Sequence, residues 1–147
     1  MKKLFFIIVC LCVTISGFSL GIKINSKTEI KPYFIKIEKV ANLGDYNLVY
    51  GKIKQLKRFS YSVNFGDCKI ITNSNPNGVK GSLYKWNDDK KIPFEIKPIS
   101  DQKEESFILA FPYGSIPEEG SFDLVIGTAQ NKDKTELIIK DLELKKK

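Results

Sequence analysis

The sequence predicts an all-β protein, a two-layer antiparallel immunoglobulin-like sandwich of roughly seven to nine strands, with a small closed β-barrel as the alternative. Three observations carry this. Apolar residues recur at every second position along the chain, the runs end in Gly, Pro, Asn and Asp clusters about 8 to 12 residues apart, and no three-to-four periodicity persists long enough to demand a helix. The chain has 147 residues, and the part beyond its leader is enough for one core and too little for two.

The first element is the leader itself. "MKKLFFIIVCLCVTISGFSLG" has two lysines, an apolar run from Leu4 to Val13, then small and polar residues, the layout of a secretory signal peptide. Residues 1–21 are therefore read as leader and 22–147 as a single sandwich domain, with a mature start at Ile22 or, second, at Leu20. Val9 precedes Cys10 and Leu11 precedes Cys12, so neither cysteine comes after the small residue a lipid anchor needs. The apolar run is short for a span of about 20 residues, and no later segment could cross. The expected location is outside the cytoplasm, periplasmic or extracellular.

Tyr33, Ile35 and Ile37 alternate with Phe34, Lys36 and Glu38; Leu48 to Ile53 is apolar and contains Gly51. Phe59, Tyr61, Val63 and Phe65 then alternate with Ser60, Ser62 and Asn64, a row expected to be a core wall rather than a ligand platform. Gly66-Asp67 reads as a tight hairpin with glycine at positive φ, or as a bulge within one longer strand. "CKIIT" stops at "NSNPNG", and Val79 to Trp86 is one strand stopping at "NDDK". Ile92, Phe94 and Ile96 alternate, and Pro93 and Pro98 bracket the short strand "PFEIKP", which predicts an edge strand because proline cannot donate to a ladder. "SFILAF", "SFDLVIG" and "TELIIKDLEL" complete the set, the last two as a hairpin with its loop around Asn131 to Lys134.

Charge and chemistry narrow the function. Lys and Arg number 24 against 17 acids, and only Lys2 and Lys3 leave with the leader. Arg58 is the one arginine, and lysine lacks the planar fork that reads phosphates and guanine edges, so specific nucleic-acid binding is not expected. Lysines interleaved with acids read as a solvated surface. There is no histidine, which removes the usual general base and metal ligand. With Cys68 alone beyond the leader, a zinc site lacks ligands. "NSNPNG" mimics the start of a calcium loop in spacing but carries no carboxylate, so it reads as a turn. The pairs Asp88-Asp89, Glu104-Glu105 and Glu118-Glu119 read as solvated charge, the last two in loops. No phosphate loop or nucleophile elbow occurs. No enzyme activity, metal or cofactor is expected.

Cys68 reads first as a small buried hydrophobe and second as an intermolecular disulfide partner. Surface contacts with a partner are assigned to Tyr84 and Trp86, expected on one face of their strand, and to Tyr113 between Pro112 and Gly114. The expected function is an exported, non-catalytic module, monomeric, binding or assembling with another protein or surface component. A loop-based enzyme inhibitor anchored by Tyr113 is one alternative.

A second alternative comes from resemblance. The strand-like N-terminal segment, "IITN", "IPFEI" and "IPEEGSFDLVIGT", with Gly120, Phe122, Leu124 and Ile126 in alternation, resemble fimbrial subunits of the chaperone-usher kind. That resemblance implies an incomplete sandwich completed by a neighbour's donor strand. Two features depart from the family's pattern: a single mature cysteine cannot form the disulfide of many such subunits, and "TELIIKDLELKKK" extends beyond the usual end.

Overall fold

A computed structural model describes residues 22–56, 62–87 and 95–144, with the backbone alone over 22–28. The leader, Phe59, Tyr61, Ile92, Phe94, Asp88-Asp89 and Lys145 to Lys147 lie outside the described residues. In chain order the strands are β1 (Ile22–Ile30), β2 (Tyr33–Leu43), β3 (Tyr46–Gln55), β4 (Val63–Asn64), β5 (Lys69–Thr72), β6 (Asn75–Lys80), β7 (Ser82–Trp86), β8 (Ile96–Lys97), β9 (Glu105–Pro112), β10 (Ser121–Ala129) and β11 (Glu136–Glu143). All strand pairings are antiparallel. One sheet has the order β1-β2-β3-β9-β7; the other has β6-β5-β10-β4-β8, with β11 on the free side of β10. This is the predicted all-β antiparallel sandwich, with eleven strands among the described residues rather than the seven to nine expected, partly because Val79–Trp86 and the stretch around Gly66 each divide into two.

Strand alternation builds the core. Tyr33, Ile35 and Ile37 from β2, Val49 and Ile53 from β3, and Phe107, Leu109 and Phe111 from β9 are buried. Against them pack Val63, Phe65, Ile70, Phe122, Leu124 and Ile126, with Leu137, Ile139 and Leu142 of β11. Phe65 lies 5.3 Å from Trp86 and 5.4 Å from Phe107, centroid to centroid, in tilted geometry. Tilted pairs of this kind let ring edges meet ring faces and add to the area they bury.

Four local expectations are corrected. The Gly66-Asp67 hairpin does not form: β4 and β5 do not pair with each other but lie end to end beside β10, joined by a 3-10 turn over Phe65–Asp67. The reading of one interrupted strand is the closer of the two. Asn64 holds the turn, accepting from the Gly66 N–H at 3.0 Å and donating to Asp67 at 3.1 Å. "NSNPNG" is a turn only at Asn73 and Ser74; Asn75 onward is β6, whose position at the sheet edge tolerates Pro76. Val79 to Trp86 is two strands, because the chain changes sheets at Gly81. A Cβ there would sit 2.5 Å from the Phe111 ring and 2.7 Å from the Ala110 carbonyl, so only glycine turns this corner. In β8, Ile96 is exposed and Lys97 is buried next to Val63, inverting the face that the Ile92–Phe94–Ile96 alternation predicts. The strand lies at a sheet edge as its prolines require.

Candidate interaction surface

Of the three predicted contact residues, two are exposed. Tyr84 and Tyr113 are 54% and 63% exposed, whereas Trp86 is buried against Phe65. Tyr84 and Trp86 do not share a face because a bulge between Leu83 and Lys85 adds a residue to β7 relative to β9. One extra residue breaks the two-residue repeat and turns the later side chains over. Trp86 therefore belongs to the core.

Tyr113 is part of a larger feature. β2 and β3 are joined by Gly44-Asp45, with Gly44 at φ +55°, the left-handed geometry a two-residue hairpin turn uses. This places Leu43 directly opposite Tyr46, and Tyr46 opposite Pro112 at the end of β9. The Tyr113 N–H then donates to the Asp45 carbonyl at 2.8 Å. The result is one tip built from two loops, carrying Leu43 at 51%, Tyr46 at 50% and Tyr113 at 63% exposure.

The tip is held from below by a buried side chain. Asn47 donates through Nδ2 to Asn42 Oδ1 at 2.5 Å, and its Oδ1 accepts from the Gly114 N–H at 3.0 Å. Gly114 has φ +81°, a conformation glycine adopts without steric cost. Ser115 closes the loop start, its Oγ donating to the Pro112 carbonyl at 2.5 Å. Behind the tip, on the outward face of the same sheet, Leu48 pairs with Ala41 and Ala110. Leu48 is buried yet stands apart from the core cluster. Tyr50 and Ile108 come next, with Lys39 Nζ 4.3 Å above the Tyr50 ring. Further along the strands lies an ion-pair group, where Glu38 bridges Lys36 at 3.3 Å and Lys52 at 3.5 Å and Glu104 meets Lys52 at 3.3 Å. The two carboxylates, Glu104 foremost, raise the Lys52 pKa.

Sequence reading found Tyr84 and Tyr113 but missed Leu43 and Tyr46. "LGDY" carried the signal, since a Gly-Asp pair between two strand-like runs sets its flanking residues side by side at a solvent-facing tip.

The opposite end of the sandwich is polar inside. Gln55, Lys97 and Glu105 are buried; Glu105 starts β9 rather than lying in a loop, and accepts from Ser100 Oγ at 2.8 Å. Burial lowers the Lys97 pKa. Cys68 is fully buried and its thiol is pushed up to about 12, first by desolvation and then by the Glu95 carboxylate. A thiol in that state supplies no nucleophile near neutral pH. Among the described residues no group of three or more Cys, Asp or Glu could hold a metal ion, and no helix is long and apolar enough to cross a membrane.

The fold defines an antiparallel β-sandwich protein with an apolar two-loop tip. Its fold is similar to that in the crystal structure of the yjhA protein from Bacillus subtilis, with a TM-score of 0.56 and 14% identity, covering 80% of this chain and 97% of that one. No protein-family model and no curated protein matches the chain.

Proposed function

We propose that this chain is an exported, non-catalytic module that acts as a monomer and binds another protein or surface component of the cell envelope through the Leu43–Tyr46–Tyr113 tip. The observation that carries the reading is the convergence of three large, exposed apolar side chains on two loops locked by Asn47. Soluble surfaces carry such residues singly; grouped ones mark contact sites, and tyrosine gives large contact area at little entropic cost. Export rests on the sequence of residues 1–21. The absence of histidine from the sequence and the burial of Cys68 support a non-catalytic role. An enzyme that accepts the tip into its cleft would be one such partner.

Self-containment is favoured over donor-strand exchange because β1 pairs with β2 and β11 pairs with β10 within one chain. The test places a photo-crosslinking residue at position 113, 46 or 140 of the full chain expressed with its leader. We expect an exported product with a new N-terminus between Leu20 and Ile22, and one recurrent adduct from 113 and 46 that the exposed β11 position 140 does not give. An intact Met1, or adducts independent of position, would overturn the proposal.

A further inference from the structure

We infer that the tip takes a cationic polypeptide segment, one in which lysine or arginine alternates with apolar side chains; this rests on the tip being the binding surface. The protein as a whole is basic, at +7, but its tip is not. Segments 42–47, "NLGDYN", and 112–120, "PYGSIPEEG", contain no lysine or arginine and carry Asp45, Glu118 and Glu119. Asp45 and Glu118 are exposed on the same two loops that present the apolar side chains. Asp45 lies in the turn between Leu43 and Tyr46, and its carbonyl is the group that ties Tyr113 to the hairpin.

Charge screening makes this local sign the relevant one. At physiological ionic strength fields fall away over about 8 Å, so a docking segment feels the tip's own carboxylates more than lysines elsewhere. Two exposed tyrosine rings on loops that also carry carboxylates offer a cationic side chain two kinds of contact: the ring face attracts the cation and a carboxylate pairs with it. The protein already makes the first of these contacts within itself, where Lys39 lies over Tyr50. Leu43, Tyr46 and Pro112, register neighbours on one face, provide apolar contact for the residues between the cations. An anionic partner would meet like charge here.

The experiment is an NMR titration of the isotope-labelled, leader-free protein with a synthetic Lys/Arg/Leu peptide, and with the same peptide carrying Glu at every cationic position. We expect the cationic peptide to shift the amides of residues 43–47 and 112–115, with affinity falling as salt is raised. Asp45→Asn/Glu118→Gln/Glu119→Gln should weaken it roughly threefold to tenfold, as expected for exposed ion pairs. Glu29→Gln, at an exposed carboxylate on β1, should leave it unchanged. Equal or stronger binding of the Glu peptide at the tip, or affinity insensitive to salt, would overturn the charge assignment while leaving the tip as the binding surface. Shifts elsewhere, or none with either peptide, would overturn the inference outright. The proposed function would then stand or fall separately, on cross-linking from position 113.

Discussion

Phe65 shows how much a single side chain can carry. It is fully buried, touches Trp86 and Phe107, and so joins the two sheets across the core. Phe65→Ala should cost about 3 to 5 kcal/mol, the range for emptying a buried aromatic site. Ser62, half-buried and bonded to Gln130 through its backbone carbonyl at 2.8 Å, should tolerate Ser62→Ala within about 0.5 kcal/mol. Denaturant titration of both variants checks the pair, and near-equal midpoints would contradict the assignment of faces. Cys68 makes a prediction in pH. Its thiol is held neutral by burial, with a pKa raised from 9.0 to about 12 in the folded protein. The unfolded chain therefore loses this proton first, and stability present below pH 9 should decline as pH rises from 9 towards 12. Wild type should lose more of its urea midpoint over that window than Cys68→Ala, and the native thiol should resist iodoacetamide at pH 8 until denaturant is added.

Among the elements, the β2–β3 hairpin and the loop after β9 behave as one unit because Asn47 bonds both. Asn47→Ala removes the acceptor for the Gly114 N–H and should cost about 1 to 3 kcal/mol, with faster amide exchange confined to residues 113–115. Unchanged exchange there would mean that the loops are held by something else. The same elements show which parts of the fold are legible in sequence. β2 and β11 can be read from period-two patterns because one face of each lies in the core, whereas β3, β9 and β10 bury consecutive residues over part of their length and read as apolar runs. The two Gly-Asp pairs show why turns are harder. Gly44-Asp45 makes the hairpin, with positive φ. Gly66-Asp67 makes a 3-10 turn, decided by the Asn64 side chain two residues before Gly66 and by Glu95, which fills the space where a Cβ at Gly66 would stand. Glu95 lies 29 places along the chain, so its share in that turn is encoded in no local pattern. The candidate tip was half legible for the same reason. Tyr113 stands out between Pro112 and Gly114, whereas its neighbours Leu43 and Tyr46 become neighbours only through the pairing of β3 with β9. Trp86 left the predicted surface because of a single bulged residue in β7.

At the scale of the whole molecule, the two ends of the sandwich differ. One buries Gln55 and Glu105 inside; the other holds Leu43, Tyr46 and Tyr113 out to solvent. That polarity, in a domain whose first and last described strands both pair within the chain, underlies the view of a self-contained module presenting one surface. A fimbrial subunit would instead lend a strand to its neighbour and leave an edge open to pairing. Light scattering of the leader-free protein across a wide concentration range, with and without a free peptide spanning residues 22–40, separates the two most directly. The self-contained module predicts a monomer at every concentration, unaffected by the peptide, that unfolds in one cooperative transition. Oligomers that grow with concentration and are capped by the peptide would contradict it and establish strand exchange.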